Sequence, residues 1–254
     1  MRPTDLKRLQ SPQLLRAERA ILALLVKPSD VLHQLEVLSR VVNSDAIDVV
    51  QLRVQAPVMS DATNFHRAAH TLRRVINRHD TRAKFVVNDD VEVAMSSGAD
   101  GVHLKERALG DANVDATIAA LRQRHMLVGC SVHSVDAAVR AFLLGVDYIQ
   151  VGTMFSTPSH PEKTPDMLEG PQLLTAIQHE LLGCARTNDN LPQLVAIGGI
   201  NTTNLAQAID AGADGVAVIR SIIAATDPVE AALSHRRALD QAKETHATQD
   251  TSKL

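Results

Sequence analysis

One phrase recurs along the chain and constrains its fold more than any other feature. Gly98-Ala99-Asp100-Gly101 runs into Val102-His103-Leu104, Gly145-Val146-Asp147 into Tyr148-Ile149-Gln150-Val151, and Gly212-Ala213-Asp214-Gly215 into Val216-Ala217-Val218-Ile219. Each phrase follows an Ala-rich helical pattern, such as Asp136 to Leu144 or Asn204 to Ala211. Glycine takes the left-handed conformation just past a helix end without steric cost. A short polar turn and an apolar run then follow. The unit is helix, glycine stop, buried strand, and it is used at least three times.

The remaining apolar runs complete eight strands: Ala20–Val26, Ala46–Arg53, Lys84–Asn88, Gly101–Leu104, Leu127–Ser131, Tyr148–Gly152, Gln193–Ile197 and Gly215–Ile219. Helical patterns fall between them: Asp30–Val42, Ala62–Asn77, Val91–Ser96, Asp115–Gln123, Asp136–Leu144, Gly170–Leu182, Asn204–Ala211 and Pro228–Lys243. Strict alternation implies a parallel sheet. Eight units favour a closed α/β barrel, the (β/α)₈ or TIM barrel, as a single domain. The 254 residues suit that architecture, which typically takes roughly 250. Residues 1–19 are expected as an N-terminal extension carrying a helix, 20–244 as the barrel, and 245–254 as a polar frayed tail. The core should be aliphatic, because the chain has no Trp, one Tyr and four Phe, and branched aliphatics fill the layers of a parallel barrel.

A formal net charge of −3 argues against a broad nucleic-acid-binding face. The apolar run Ile21 to Val26 is far too short to span a membrane, and no signal peptide is apparent before it. Cys130 and Cys184 lack metal-ligand spacing and are expected to be reduced thiols. A cytoplasmic enzyme is the expectation, with its oligomeric state open and a homo-oligomer one alternative.

Active sites of such barrels lie at the C-terminal ends of the strands. Those ends supply Gln51 and Arg53, then Asn88, Asp89 and Asp90, His103, Ser131 and His133. Gly152, Thr153 and Thr157 come next, then Gly198 and Gly199, and finally Arg220 and Ser221. Paired glycines let a phosphate approach the backbone, whose N–H groups can hold its oxygens; the alternative is a tight turn. Arg53 at a strand end suits an anion, or a surface ion pair. Asp89 could bind Mg²⁺ through oxygen, and Asp89 or Asp90 could instead cap the next helix. Ser131 and His133 are the candidates for catalysis, with His133 able to move protons. Ser134 reads as an N-cap and Cys130 as a small buried group. The long polar loop from Gly152 to Lys163 could fold over an anionic ligand, bringing Thr157 and Lys163 to it. His66 and His70 share a helix face and read as solvated.

Taken in order, Gln51-Leu52-Arg53, Val87-Asn88-Asp89, Gly98 to Leu104, Gly129 to His133, Asp147 to Thr157, Val195 to Asn201 and Gly212 to Val218 resemble the thiamine-phosphate synthase family and the related thiazole tautomerases. The resemblance runs from about Ile21 to Ala232. It implies an enzyme that couples a hydroxymethylpyrimidine diphosphate to a thiazole phosphate, releasing pyrophosphate with Mg²⁺. By that resemblance Gln51, Arg53 and Asn88 contact the pyrimidine diphosphate, Asp89 is a Mg²⁺ ligand, and Ser131 stabilises the pyrimidine. Thr157, Gly198, Gly199, Arg220 and Ser221 would hold the thiazole phosphate.

Three positions depart from the family pattern. Gln55 and His160 stand where lysines are expected, and Ala108 stands where a second metal-binding Asp is expected. All three missing groups serve the diphosphate or its metal, and Glu106 or Lys163 are nearby substitutes. The thiazole side is thus better kept than the diphosphate side. That asymmetry keeps open a tautomerase alternative, needing no metal and using His133 as acid/base, and a non-catalytic thiazole-phosphate binder. Gln51, Arg53 and Asp89 are synthase-like.

Overall fold

The computed structural model describes residues 19–53, 62–78, 81–159, 161–186 and 190–251. The expected N-terminal extension lies outside them but for Arg19, as do Gln55 and His160.

Eight parallel strands close into a barrel in sequence order. They are β1 (Ile21–Val26), β2 (Val49–Leu52), β3 (Lys84–Asn88), β4 (Gly101–Leu104), β5 (Leu127–Val132), β6 (Tyr148–Val151), β7 (Gln193–Ile197) and β8 (Gly215–Val218). β1 pairs with both β2 and β8, which seals the ring. The helices are α1 (Pro28–His33), α2 (Leu35–Asn43), α3 (Ala62–Arg78), α4 (Val91–Ser97), α5 (Val114–Gln123), α6 (Val135–Leu144), α7 (Gly170–Cys184), α8 (Leu205–Asp210), α9 (Arg220–Ile223) and α10 (Pro228–Thr251). The single helix expected over Asp30–Val42 is two, broken at Gln34, whose φ of −126° leaves the helical region. α10 continues to Thr251, past the Lys243 end set by the apolar pattern and into the segment expected to fray, of which 252–254 lie outside the described residues.

Alternation along the strands makes two apolar layers. Ile21, Ala23 and Leu25 face the barrel interior with Val49, Val86, Leu127, Tyr148, Val195 and Ala217. Leu22, Leu24 and Val26 face outward into the larger layer beneath the helices. Tyr148 is the chain's one tyrosine, and it fills the interior because β5 presents Gly129 beside it. A Cβ on Gly129 would overlap the Tyr148 ring.

The aspartates of the recurring phrase have a role that the sequence pattern did not reveal. Asp100 Oδ2 accepts from the Phe85 N–H at 2.8 Å, while the Asp100 N–H donates to the Phe85 carbonyl and the Asp100 carbonyl accepts from the Leu127 N–H. Asp147 repeats this with Val128 and Gln193, and Asp214 with Leu194 and Ile21. Asp48 makes a fourth copy with Leu22 and Lys84. Each carboxylate therefore ties its strand to the preceding one at the barrel floor. The Asp48 copy lacks the phrase's sequence signature because no glycine precedes it; Asp45 takes the left-handed turn at φ 58° instead. Arg236 from α10 donates to Asp48 and to the Ala20 carbonyl, fastening the last helix to the first strand.

Candidate active site

The strand ends and their following loops enclose a cavity of about 770 Å³. On one side, three amides run in series. Gln150 donates to Gln51 at 2.6 Å, and Gln51 donates to Asn88. Gln51 and Gln150 are buried, so each amide's orientation is fixed by the next. Arg53, half-buried at the end of β2, lines the same wall, and burial lowers its pKa.

Beside them, His103 is buried between Tyr148 and Ser131. Its Nδ1 is 3.1 Å from the Tyr148 hydroxyl and its Nε2 is 2.8 Å from Ser131 Oγ. Burial chiefly, and Arg53 secondarily, push the His103 pKa down to about 3 against an opposing pull from Asp89. The ring is neutral, with one donor and one acceptor nitrogen. Among the described residues the Tyr148 hydroxyl has no acceptor other than Nδ1. The tautomer that satisfies both partners therefore has Tyr148 donating to Nδ1 and Nε2–H donating to Ser131. That leaves the Ser131 hydroxyl proton free to point into the cavity. Cys130 is buried, as expected, and burial chiefly pushes its thiol up to about 12.

The opposite wall is built of backbone. Gly198 and Gly199 have φ of 103° and 66°. A Cβ on Gly199 would lie 2.5 Å from the Ser156 carbonyl oxygen and 2.6 Å from that of Phe155. Glycine is thus required twice over, by conformation and by close approach. Among the described residues, the N–H groups of Gly199 and Ile200 meet no acceptor. Ser221 Oγ, at the start of α9, is buried without a hydrogen-bond partner. Unsatisfied donors around one hollow are what an anion-binding cup requires.

A family model described as thiamine monophosphate synthase matches residues 22–222. The chain belongs to that family. It is 38% identical to the thiamine-phosphate synthase of Methanoculleus marisnigri over 81% of this chain and 88% of that protein. It is 34% identical to that of Methanoregula boonei over 78% and 82%. A thiamine phosphate pyrophosphorylase from Pyrococcus furiosus shares the fold, with a TM-score of 0.67, 24% identity and coverage of 92% and 99%. The family makes the chain an enzyme of thiamine biosynthesis and a transferase; the tautomerase alternative is not favoured.

In this family member the sequence-derived residues fall into two groups. Gln51, Arg53, Asn88, Ser131, His133, Thr157, Gly198, Gly199, Arg220 and Ser221 all line the cavity. Lys163 does not; its ammonium is 2.7 Å from Glu169. Glu169, which no sequence signal pointed to, also accepts from the Thr153 N–H and lies 3.3 Å from His133 Nδ1. Burial pushes its pKa up, but the bonds from Lys163 and Thr153 outweigh that and leave it lowered. His133 is further held by its backbone N–H, which donates to Glu106 at 2.7 Å. Asp90 and Ser134 cap α4 and α6. His66 and His70 are exposed.

Asp89 stands at the rim with φ 62°, but its Oδ2 is taken by Lys105 Nζ at 2.9 Å and Arg107 Nη2 at 2.6 Å. Ala108 packs against the core, and Glu106 is engaged by His133. Among the described residues no three His, Cys, Asp or Glu side chains come together to hold a metal ion. A divalent ion at Asp89 would face two cations, each repelling by roughly 4 kcal/mol per unit charge at about 4 Å near a protein surface. The donor set does not fit a Mg²⁺ held by the protein.

Proposed function

We propose that the chain couples a hydroxymethylpyrimidine diphosphate to a thiazole phosphate, forming thiamine phosphate and pyrophosphate. One observation carries this reading: a single cavity has an anion-facing end on each side. The Gly198–Gly199 turn with Ser221 is one end, and Arg53 with the Lys105–Arg107 rim is the other. An isomerase acting on one phosphate needs only one. In this reading the bond between the pyrimidine methylene carbon and the diphosphate oxygen breaks, and its electron pair leaves with the oxygen. The thiazole nitrogen lone pair then forms the new C–N bond, with no net proton transfer.

Cations positioned for the developing negative charge on the leaving group act mainly in the transition state. Arg53 fills that place. The amide series ending at Asn88 would orient the pyrimidine. Ser131, its proton directed inward by His103, would donate to the pyrimidine ring. The glycine cup, Thr157, Arg220 and Ser221 would hold the thiazole phosphate, with Ser221 Oγ gaining the partner it lacks. His133 and Lys163, tied to Glu169, would set the shape of the loop after β6. The expected Mg²⁺ ligand, Asp89, is assigned no step. Phosphorylated small molecules are the implied partners. Among the described residues no helix is long and apolar enough to cross a membrane.

The test is a direct assay. Purified protein is mixed with pyrimidine diphosphate and thiazole phosphate, and thiamine phosphate and pyrophosphate are quantified. Both products are expected in equal amounts, with a large loss of rate in Arg53→Ala. Absence of product, with isomerisation of a carboxylated thiazole phosphate instead, would overturn the assignment.

A further inference from the structure

Outside the glycine cup, the densest charge on the cavity rim belongs to the segment after β4. Lys105, Glu106 and Arg107 all line the cavity together with Arg53. Three cations thus meet two carboxylates, Asp89 and Glu106, at one edge. Glu106 is turned to the His133 backbone N–H. Lys105 and Arg107 share a single oxygen, Asp89 Oδ2. Arg107 remains 71% exposed and Lys105 37% exposed, so both are free to turn from that oxygen to a ligand. We infer that Lys105 and Arg107 form a diphosphate clamp made of protein cations, which grips the anion without a divalent metal, with Asp89 as the anionic placeholder that holds both cations until the ligand arrives.

The chemistry agrees with this assignment. A diphosphate offers several oxygens to two donors, whereas one shared carboxylate oxygen leaves most of their N–H groups unused. Arg107 can engage two oxygens at once, and Lys105 supplies a point charge. The inference rests on the proposed function for the identity of the anion, but its test does not.

Inorganic pyrophosphate is titrated into the full-length protein by calorimetry, once in EDTA and once in excess Mg²⁺. Binding in EDTA is expected, within threefold of that in Mg²⁺. Affinity should fall at least tenfold in Lys105→Ala/Arg107→Ala and be largely kept in Lys105→Arg/Arg107→Lys, which guards against misfolding as the cause. Asp89→Asn should bind pyrophosphate more tightly, because it releases both cations; a metal ligand at Asp89 predicts the opposite sign. Binding only in Mg²⁺, lost in Asp89→Asn, would overturn the clamp, as would undetectable binding in both buffers. If thiamine phosphate is formed while pyrophosphate needs Mg²⁺ and Asp89, the clamp alone fails. If metal-free binding through Lys105 and Arg107 is found without product formation, the proposed coupling alone fails.

Discussion

Replacing Gly199 by alanine should damage stability and substrate binding together, by amounts that the cup's geometry sets. The backbone there sits at φ 66°, a conformation that costs an L-residue roughly 1–2 kcal/mol. The new Cβ would lie 2.5 Å from the Ser156 carbonyl oxygen and 2.6 Å from that of Phe155. Both are backbone atoms, so the loop after β6 must shift rather than a side chain rotate, and overpacking of this kind costs about 1–3 kcal/mol. The summed loss of about 2–5 kcal/mol is a large share of the roughly 5–15 kcal/mol that holds a typical protein folded. Moving the loop also moves the N–H groups offered to the phosphate. Each loss of about 1.4 kcal/mol of binding is tenfold, so the KM for thiazole phosphate should rise at least tenfold while that for pyrimidine diphosphate stays near the original. Urea denaturation measures the first effect and steady-state kinetics the second. Gly183→Ala is the control, since it lies in α7 with nothing within 4 Å of its added Cβ; it should be neutral or stabilising by up to about 1 kcal/mol. A Gly199→Ala protein with an unchanged urea midpoint and unchanged KM would refute the close-approach argument.

Two further outcomes follow from buried polar groups. His103 has its folded pKa lowered to about 3 from an ordinary 6.5, so as pH falls the unfolded chain takes up the proton first. The contribution of a neutral His103 is complete above about pH 6.5 and is lost on acidification toward 3, at up to about 1.4 kcal/mol per pH unit. Urea midpoints measured from pH 7 to 4.5 should therefore fall more steeply for the native protein than for His103→Gln; parallel slopes would show that the ring does not titrate as described. Asp100→Ala removes the acceptor for the Phe85 N–H and the partner of Arg73, which should cost about 1–3 kcal/mol. Asp100→Asn, which keeps an acceptor oxygen, should cost less, and an Asn variant as unstable as the Ala variant would argue against the carboxylate's role as a strand tie.

The barrel was legible because its repeating unit carries three local signals at once: an Ala-rich helix, a glycine stop and an apolar run. β3, β4 and β7 fall on their expected boundaries, and the cup glycines stand where the β7 end put them. Less was legible where a residue's job depends on a distant partner. His103 was visible at the end of β4, but nothing local says that Tyr148, 45 residues on, occupies its Nδ1. The only available hint was that Gly129 leaves room for a large neighbour inside the barrel. Gln150 looked like one residue of an apolar strand, and its amide partner Gln51 is 99 residues away. Lys163 looked like a ligand cation, yet the loop's path gives it to Glu169 first. Lys105 and Arg107 carry no local mark of their role, because their pairing with Asp89 depends on how the rim segment turns. Side-chain charge is local information; which opposite charge it meets is not.

The four floor aspartates also say where this barrel can be cut. Their carboxylates join β1 to β2, β3 to β4, β5 to β6 and β7 to β8, so at the floor the ring consists of four strand pairs whose seams carry no such carboxylate; the side-chain bonds Gln51–Asn88 and His103–Ser131 cross two of those seams only at the other end of the strands. A nick in the turn between α5 and β5, around Arg124 and His125, leaves two pairs in each half and keeps every floor carboxylate in the same half as the strand N–H it accepts from. The same nick between α4 and β4 would part Phe85 from Asp100. For fragment complementation or circular permutation of this chain, the first position is the natural one and the second is the natural negative control.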